Sequence, residues 1–445
     1  MMIQQMLAEV PLSIGASHPR ALLSYLRRFP PALLSMLRRA GFRRTLRLAW
    51  DNSSYYRQRF LEEGIDVARA RVPADLKNFY LTSEVLRQSP EALLCGKPDL
   101  VVESSGTTGH ASRIFLSRRE LDYNSRQAVI LKALYDISEE DRVLSTLDYG
   151  FCLDGVLASN AIPYWKTFAV CVGRVDPVEI YRKFPKYRFN IVMSGTPWLA
   201  RFTEVAQVEG RPYPLKLLVG GGGGGILKRT REWIESFWGA PLYMTYASTE
   251  AATVLGFECP ARDGYHLNEF DFYVEILNPD AEGYGEVVIT TVNRTVMPLI
   301  RYRTRDVARV IREKCPCGLP FRKLSPLRGR LDEIVASVWG NVHPDFFESI
   351  LGGIHGLADD WQVALQEKEG KQTFVFRLEL EDGPSRRDEI KREIFALVQE
   401  KHPLAWQACM QRLSEVEFAF LPKGSLRKGR KLLRLVDERR SPPVQ

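Results

Sequence analysis

The chain has 445 residues, 45% of them hydrophobic and 26% charged, with a net charge of +8. That length exceeds one ordinary core, so two or more domains are expected, and the composition is that of a globular protein. No uncharged apolar run approaches the roughly 20 residues a membrane helix needs. The opening stretch MMIQQMLAEVPLSIGASHPR lacks the pattern of a secretory leader, and the seven cysteines form no disulfide framework. A cytoplasmic setting without integral membrane association is the expectation.

Taken in chain order, the first feature is basic. Between Glu9 and Asp51 there is no acidic residue, while Arg20, Arg27, Arg28, Arg38, Arg39, Arg43, Arg44 and Arg47 fall among leucines at helical spacing (Leu22, Leu23, Leu26, Leu33, Leu34, Leu37). This pattern suits either an amphipathic element for an anionic membrane, a nucleic acid or an acidic protein, or a packed helical cap with a solvated arginine face. We take the second reading. No zinc-finger, RNA-recognition or helix-turn-helix pattern points to nucleic acid as a partner.

Residues 1–50 are thus expected to form a basic helical N-terminal extension. Residues 51–328 begin helical and then alternate short apolar runs with helices: RVLSTLDYG, FNIVMSG, LKLLVGG, TREWIESFW. This alternation predicts a large layered α/β domain, strand-rich towards its end in FDFYVEIL, GEVVITTV and DVARVI. Residues 329–445 change texture. WQVALQEKEGKQTFVFRLEL reads as two strands around a turn, SRRDEIKREIFALVQEKH as a helix and EVEFAFLP as a further strand, predicting a small α+β domain.

Five stretches carry candidate chemistry. SSGTTGHAS (104–112) is a hydroxyl- and glycine-rich turn between strand-like segments, suited to a phosphate or to an ordinary surface loop. It is not a Walker loop, and no GxxxxGK[ST] occurs elsewhere. YASTE ends at Glu250, RYRTRD at Asp306, GRLDE begins at Gly329, and LPKGSLRKGRKLLRLVDER lies near the C-terminus. In this order the set resembles the adenylate-forming superfamily. The closer resemblance is to the phenylacetate–CoA ligase family, through NSSYYRQRFLEEGIDV, MPLIRYRTRDVARV and CPCG, over residues 50–440.

The resemblance implies that a carboxylate attacks the α-phosphorus of ATP, and that a thiol, usually of coenzyme A, displaces AMP from the acyl adenylate. Ser105, Gly106, Thr107, Thr108 and Gly109 would grip ATP phosphates, and Glu250 would hold Mg²⁺. Thr249 would sit by the α-phosphate. Asp306 would take both ribose hydroxyls. Gly222, Gly223, Gly224 and Gly225 would let adenine approach bare backbone, with Tyr246 beside the nucleotide. Arg330 would reach the nucleotide, Asp332 would be the hinge, and the small domain would be mobile. It would carry a catalytic lysine at Lys431, with Lys428 the alternative register. Tyr149 and Phe151, in DYGFCLDG, would line an aromatic acid slot or belong to the core.

Two positions depart from the family pattern. His110 stands where a lysine usually follows the phosphate loop, leaving Arg113 as a substitute charge, and Ala247 stands where glycine usually follows the tyrosine. Separately, Cys259 and His266 in ECPARDGYH, with Cys315 and Cys317 in CPCG, make a donor set for a structural zinc, which some relatives in this family carry. Four protein ligands leave no open position for catalysis. Cys95, Cys152, Cys171 and Cys409 read as buried small hydrophobes. The function expected is an AMP-forming acid–thiol ligase acting on a small aryl or acyl carboxylic acid with coenzyme A. The alternatives are loading of an acyl carrier protein or an amine, and a catalytically inactive nucleotide-binding scaffold.

Overall fold

The computed structural model describes residues 12, 15, 17–104, 111–173, 175–210, 212–221, 226, 228–331, 335–368, 371–381, 386–411, 413–427 and 432–439. The chain divides into two compact units. The larger comprises Met1–Gly225, Ile234–Thr304 and Ala308–Pro326; the smaller comprises Ile226–Trp233, Arg305–Val307 and Leu327–Gln445. Two short segments expected in the large domain therefore belong to the smaller unit, and hydrogen bonds explain why. Asp306 bridges Arg330, Val307 N donates to Gly329 O (2.9 Å), and Arg328 N donates to Val307 O (2.8 Å). Likewise Arg229 Nη2 donates to Ala358 O (2.9 Å) and Thr230 Oγ1 to Asp359 (2.8 Å).

In the larger unit, β1 (Leu100–Glu103) and β2 (Arg113–Leu116) pair antiparallel on either side of the Ser/Thr/Gly stretch. The main sheet follows with β3 (Arg142–Ser145), β4 (Phe168–Cys171), β5 (Ile191–Gly195), β6 (Leu217–Gly221), β7 (Leu242–Ser248), β8 (Thr253–Phe257) and β9 (Tyr265–Leu267). Next come β10 (Phe272–Leu277), β11 (Gly285–Thr291), β12 (Tyr302–Ala308, of which Arg305–Val307 belong to the smaller unit), β13 (Val310–Ile311) and β14 (Lys323–Leu324). The nine-stranded sheet has the order β13-β14-β9-β8-β7-β6-β5-β3-β4, and β10-β11-β12 form a second sheet. Within the large sheet β4, β3, β5, β6 and β7 are parallel, and β7 to β13 pair antiparallel. β5 and β6 open with the continuous apolar runs IVM and LLV that strands buried on both faces of a parallel sheet carry. Helices Leu153–Ala161, Pro177–Tyr187 and Thr196–Val208 supply crossovers between them.

The basic N-terminal residues form helices Pro19–Arg27 and Pro31–Asn52, each with proline in its first turn, where no backbone donor is lost. Their leucines enter the large unit's core: Leu22, Leu26, Leu34 and Leu37 pack in one cluster with Ile130, Trp165 and Phe257. Arg20, Arg27, Arg28, Arg39, Arg43 and Arg47 are exposed, while Arg38 and Arg44 are half-buried.

The smaller unit has a hairpin of β15 (Val335–Ser337) and β16 (Gly340–Val342), then β17 (Leu357–Lys368), β18 (Lys371–Leu380), β19 (Ser414–Pro422) and β20 (Leu435–Asp437) in the sheet order β19-β18-β17-β20. Helices Pro344–Leu351, Arg387–Lys401 and Pro403–Met410 complete it. Trp339 stacks on Phe374 at 3.8 Å, and both share a core with Phe347, Trp361 and Phe376. The molecule is thus a large layered α/β unit and a smaller α+β unit. Among the described residues no helix is long and apolar enough to cross a membrane. Cys95, Cys152, Cys171 and Cys409 are half-buried rather than buried, which corrects their reading as core residues.

Much of the RYRTRD stretch is structural. Arg301, in the left-handed region (φ 46), donates to Glu275 (3.1 and 3.2 Å), Lys77 O (2.6 Å) and Tyr80 Oη (2.9 Å), with its guanidinium over the Tyr80 ring. Removing one partner of a buried ion pair leaves an uncompensated charge. Arg301→Ala is expected to lower the stability of the larger unit by about 3 kcal/mol, read as a shifted urea midpoint. A loss of under about 1 kcal/mol would mean that Glu275 finds water instead.

Candidate active site

β7 carries Tyr246, buried beside Tyr265 (6.1 Å between rings), and ends at Ser248. The next residues turn sharply. Ala252 N donates to Ser248 O (3.1 Å) and Thr249 O (3.0 Å), and Ser248 Oγ donates to Glu250 Oε2 (2.7 Å). Ala252 is left-handed (φ 59), a strained state for a residue with a Cβ. Two side chains distant in sequence pin the turn: Arg294 Nη1 donates to Glu250 O (2.6 Å) and Asn124 Nδ2 to Ala252 O (2.9 Å). Arg294 is buried and makes no salt bridge among the described residues, and burial lowers its pKa to about 10, so it stays charged at neutral pH. Thr249 and Glu250 are half-buried, within reach of a ligand.

Beside this turn lies a cavity of about 110 Å³ at the carboxyl ends of the parallel strands. Met193 and Ser194 of β5, Val219, Gly220 and Gly221 of β6, and Thr245 and Ala247 of β7 form one side. Ile130, Leu131, Ala158, Ile162 and Trp165 form an apolar side, and Asn124, Gln127, Asp154 and Asn268 are polar lining. Ligands of open α/β sheets bind where strands end in this way. The Tyr149 and Phe151 slot is not part of it. Phe151 is 73% exposed, and Tyr149 packs beside Gly155 and Gly173, its pKa raised to about 12 by burial and then by its bond with Cys171. An aromatic-rich loop did not reveal which way its rings point.

Cys259, His266, Cys315 and Cys317 come together, their ligand atoms all within 4.8 Å of one another. Cys259 Sγ lies 3.4 Å from Cys315 Sγ, and Cys317 Sγ 3.2 Å from His266 Nε2. A tetrahedral zinc–thiolate site sets sulfurs about 3.8 Å apart, so the donor set fits one such ion. His266 Nδ1 faces Phe321 O at 3.3 Å; donating there would leave Nε2 as the free ligand atom.

In the smaller unit Asp306 and Arg330 pair through backbone. Ser105, Gly106, Thr107, Thr108, Gly109, His110, Gly222, Gly223, Gly224, Gly225, Asp332, Lys428 and Lys431 lie outside the described residues. Sequence reading missed Asn124, Gln127, Asn268 and Arg294. Each is an ordinary polar residue whose partners are remote in sequence, and no local signal marked it.

No family model matches the chain. It is 25% identical over 377 residues to the phenylacetate–coenzyme A ligase of Pseudomonas putida, covering 79% of this chain and 82% of that protein. It is 25% identical over 356 residues to that of Escherichia coli K12, covering 76% and 80%. Among solved structures, 2-hydroxyisobutyryl-CoA ligase in the postadenylation state with R3-HIB-AMP superposes with a TM-score of 0.80 at 17% identity, covering 94% of this chain and 92% of that one. By sequence the chain is similar to phenylacetate–coenzyme A ligases, and its fold is that of 2-hydroxyisobutyryl-CoA ligase. ATP-bound MatB from Rhodopseudomonas palustris shares the fold more distantly, with a TM-score of 0.56 at 15% identity over 76% of this chain and 67% of that one.

The strained turn depends on its two clamps. Losing one hydrogen bond weakens local structure by about 1 kcal/mol, and an orphaned buried carbonyl costs up to about 3 kcal/mol. Asn124→Ala and Arg294→Ala are each expected to speed amide hydrogen exchange in the peptide spanning residues 248–252 by roughly fivefold or more, with the Pro344–Leu351 helix as an unaffected control. Unchanged exchange in both variants would show that the turn holds itself.

Proposed function

We propose that this chain uses ATP to activate a compact, largely apolar carboxylic acid as its acyl adenylate and transfers the acyl group to coenzyme A. The observation that carries this reading is the cavity at the carboxyl ends of β5, β6 and β7, next in the chain to the turn bearing Thr249 and Glu250. A cavity of about 150 Å³ holds benzene, so one of about 110 Å³ suits a single small ring or a short branched chain rather than a long acyl chain. Coenzyme A as acceptor is supported by the similarity to phenylacetate–coenzyme A ligases.

The reaction brings an anion to a polyanion, so charge must be neutralised and the groups held in line. Glu250 is a half-exposed hard-oxygen donor that fits Mg²⁺, which would supply positive charge to the phosphates. Thr249 is assigned to the α-phosphate, Ser105 to Gly109 to the outer phosphates, Gly222 to Gly224 and Tyr246 to adenine, and Asp306 and Arg330 to the rest of the nucleotide. Asp332 is assigned as the hinge. Lys431 is the cation for the adenylation transition state.

The decisive measurement is ATP–pyrophosphate exchange across a panel of small carboxylic acids, followed by thioester formation with coenzyme A. Exchange with no acid would defeat the proposal. Lys431→Ala is expected to reduce exchange by roughly 10²–10³-fold while sparing thioester formation from a supplied acyl adenylate, because one transition-state cation is worth a few kcal/mol. Equal loss in both half-reactions would refute that role, and no loss would move it to Lys428.

The four-donor cluster is assigned to a structural zinc that ties the loop after β8 and strand β9 to the loop between β13 and β14. Protein purified without added zinc is expected to hold about one ion per chain. Its removal with a chelator should lower thermal stability before nucleotide affinity changes. A metal-free chain of undiminished stability would remove zinc from the structure.

A further inference from the structure

We propose that the acid carries a hydrogen-bond-donating substituent, a hydroxyl or an N–H group, and that Asn268 is the side chain that reads it. The inference rests on the cavity being the acid site. Its starting point is Asp271, only 5% exposed behind the cavity wall. This carboxylate accepts from Gln127 Nε2, Asn268 Nδ2 (2.8 Å) and Asn293 Nδ2 (2.8 Å), and Tyr123 bonds to it as well.

Burial pushes the Asp271 pKa up, but the four side chains that converge on it favour the ionised form, which accepts and cannot donate, so the amides facing it must present nitrogen. That fixes the orientation of the whole set. With Gln127 Nε2 on Asp271, Gln127 Oε1 is left to accept from Asn268 Nδ2. Asn268 then has both amide hydrogens committed, one to Gln127 and one to Asp271. Its one remaining side-chain polar atom is Oδ1, an acceptor with no partner among the described residues. Asn268 is 6% exposed and lines the cavity.

The other polar lining is mixed, with donors at Ser194 and Asn124 and acceptors elsewhere, and none of it satisfies the Asn268 carbonyl. Asp154, in the first turn of helix Leu153–Ala161, is a second acceptor on the same cavity. Thr245 Oγ1 donates to Gly220 O (3.1 Å), and Ser194 Oγ accepts from Thr146 (2.5 Å), which leaves the Ser194 hydroxyl hydrogen for an acceptor such as the acid's carboxylate. A wholly hydrocarbon acid would strand the Asn268 carbonyl, whereas a donor on the acid satisfies it. Sites built to hydrogen-bond a substrate group reject analogues lacking it more strongly than apolar pockets reject a change of size.

The test compares acids of one skeleton, single-ring aryl and arylacetic acids bearing hydroxyl, amino, methoxy or no substituent at each ring position, by kcat/KM in pyrophosphate exchange. At one position the hydroxyl or amino acid is expected to exceed both the unsubstituted and methoxy acids by about tenfold or more. Asn268→Ala should collapse that ratio to near one, and Asp154→Asn should leave most of it. A wild-type enzyme that prefers the unsubstituted or methoxy acids overturns the proposal without any variant. A ratio that survives Asn268→Ala, or falls instead with Asp154→Asn, removes Asn268 as the reader. Failure to exchange with any acid would overturn the underlying ligase reading, a result distinct from exchange without the donor preference.

Discussion

Five parallel strands end on one edge of the larger unit's sheet, and the chemistry available there is set by the residue at which each strand stops. Parallel strands need crossover connections, so their carboxyl ends open into a crevice that the next helix leaves uncovered. β3 continues into Thr146 and β5 reaches Ser194, whose hydroxyls bond to each other at 2.5 Å. β6 ends in glycines because β7 lies too close for anything larger. A Cβ on Gly220 would meet Met244 Sδ at 2.6 Å, and one on Gly221 would meet Thr245 Oγ1 at 2.9 Å. β7 then runs on into Ser-Thr-Glu. The cavity and the carboxylate-bearing turn are neighbours because two adjacent parallel strands deliver them.

What the sequence made legible follows the range of the forces involved. Apolar runs such as FNIVMSG and LKLLVGG became β5 and β6 because a strand buried on both faces needs no distant partner to announce itself. The Cys/His set was legible because thiols and imidazoles at strand edges have few other uses, and four ligand atoms did converge. Thr249 and Glu250 follow directly on the end of β7.

The rest was hidden for physical reasons. Which helix residues face the cavity depends on packing between elements more than a hundred positions apart, such as Gln127 with Asn268. Arg294 looks like any loop arginine until its carbonyl partner, Glu250, is known. The choice between an aromatic slot and core packing for Tyr149 and Phe151 stayed open because their loop's local sequence does not fix the direction of its rings. The domain boundary shifted because Arg305–Val307 and Ile226–Trp233 are claimed by backbone and side-chain bonds to remote segments.

The basic N-terminal segment shows how one charge pattern serves two purposes. Most of its arginines are solvated, but two turn inward and join polar groups behind the cavity wall. Arg38 pairs with Glu269, which Arg322 also holds (2.7 Å). Arg44 donates to Val292 O and Asn293 Oδ1 (both 2.8 Å), and Asn293 Nδ2 in turn donates to Asp271. A chain of bonds therefore runs from a helix near the N-terminus through Asn293 and Asp271 to Asn268. Buried polar networks of this kind are costly when incomplete and rigid when satisfied. The Pro31–Asn52 helix is for that reason a buttress of the cavity: its apolar face builds the core, and Arg44 fixes the amide that helps to fix Asp271. Orientation of the cavity wall is thus set partly by a segment that composition alone describes as a surface feature.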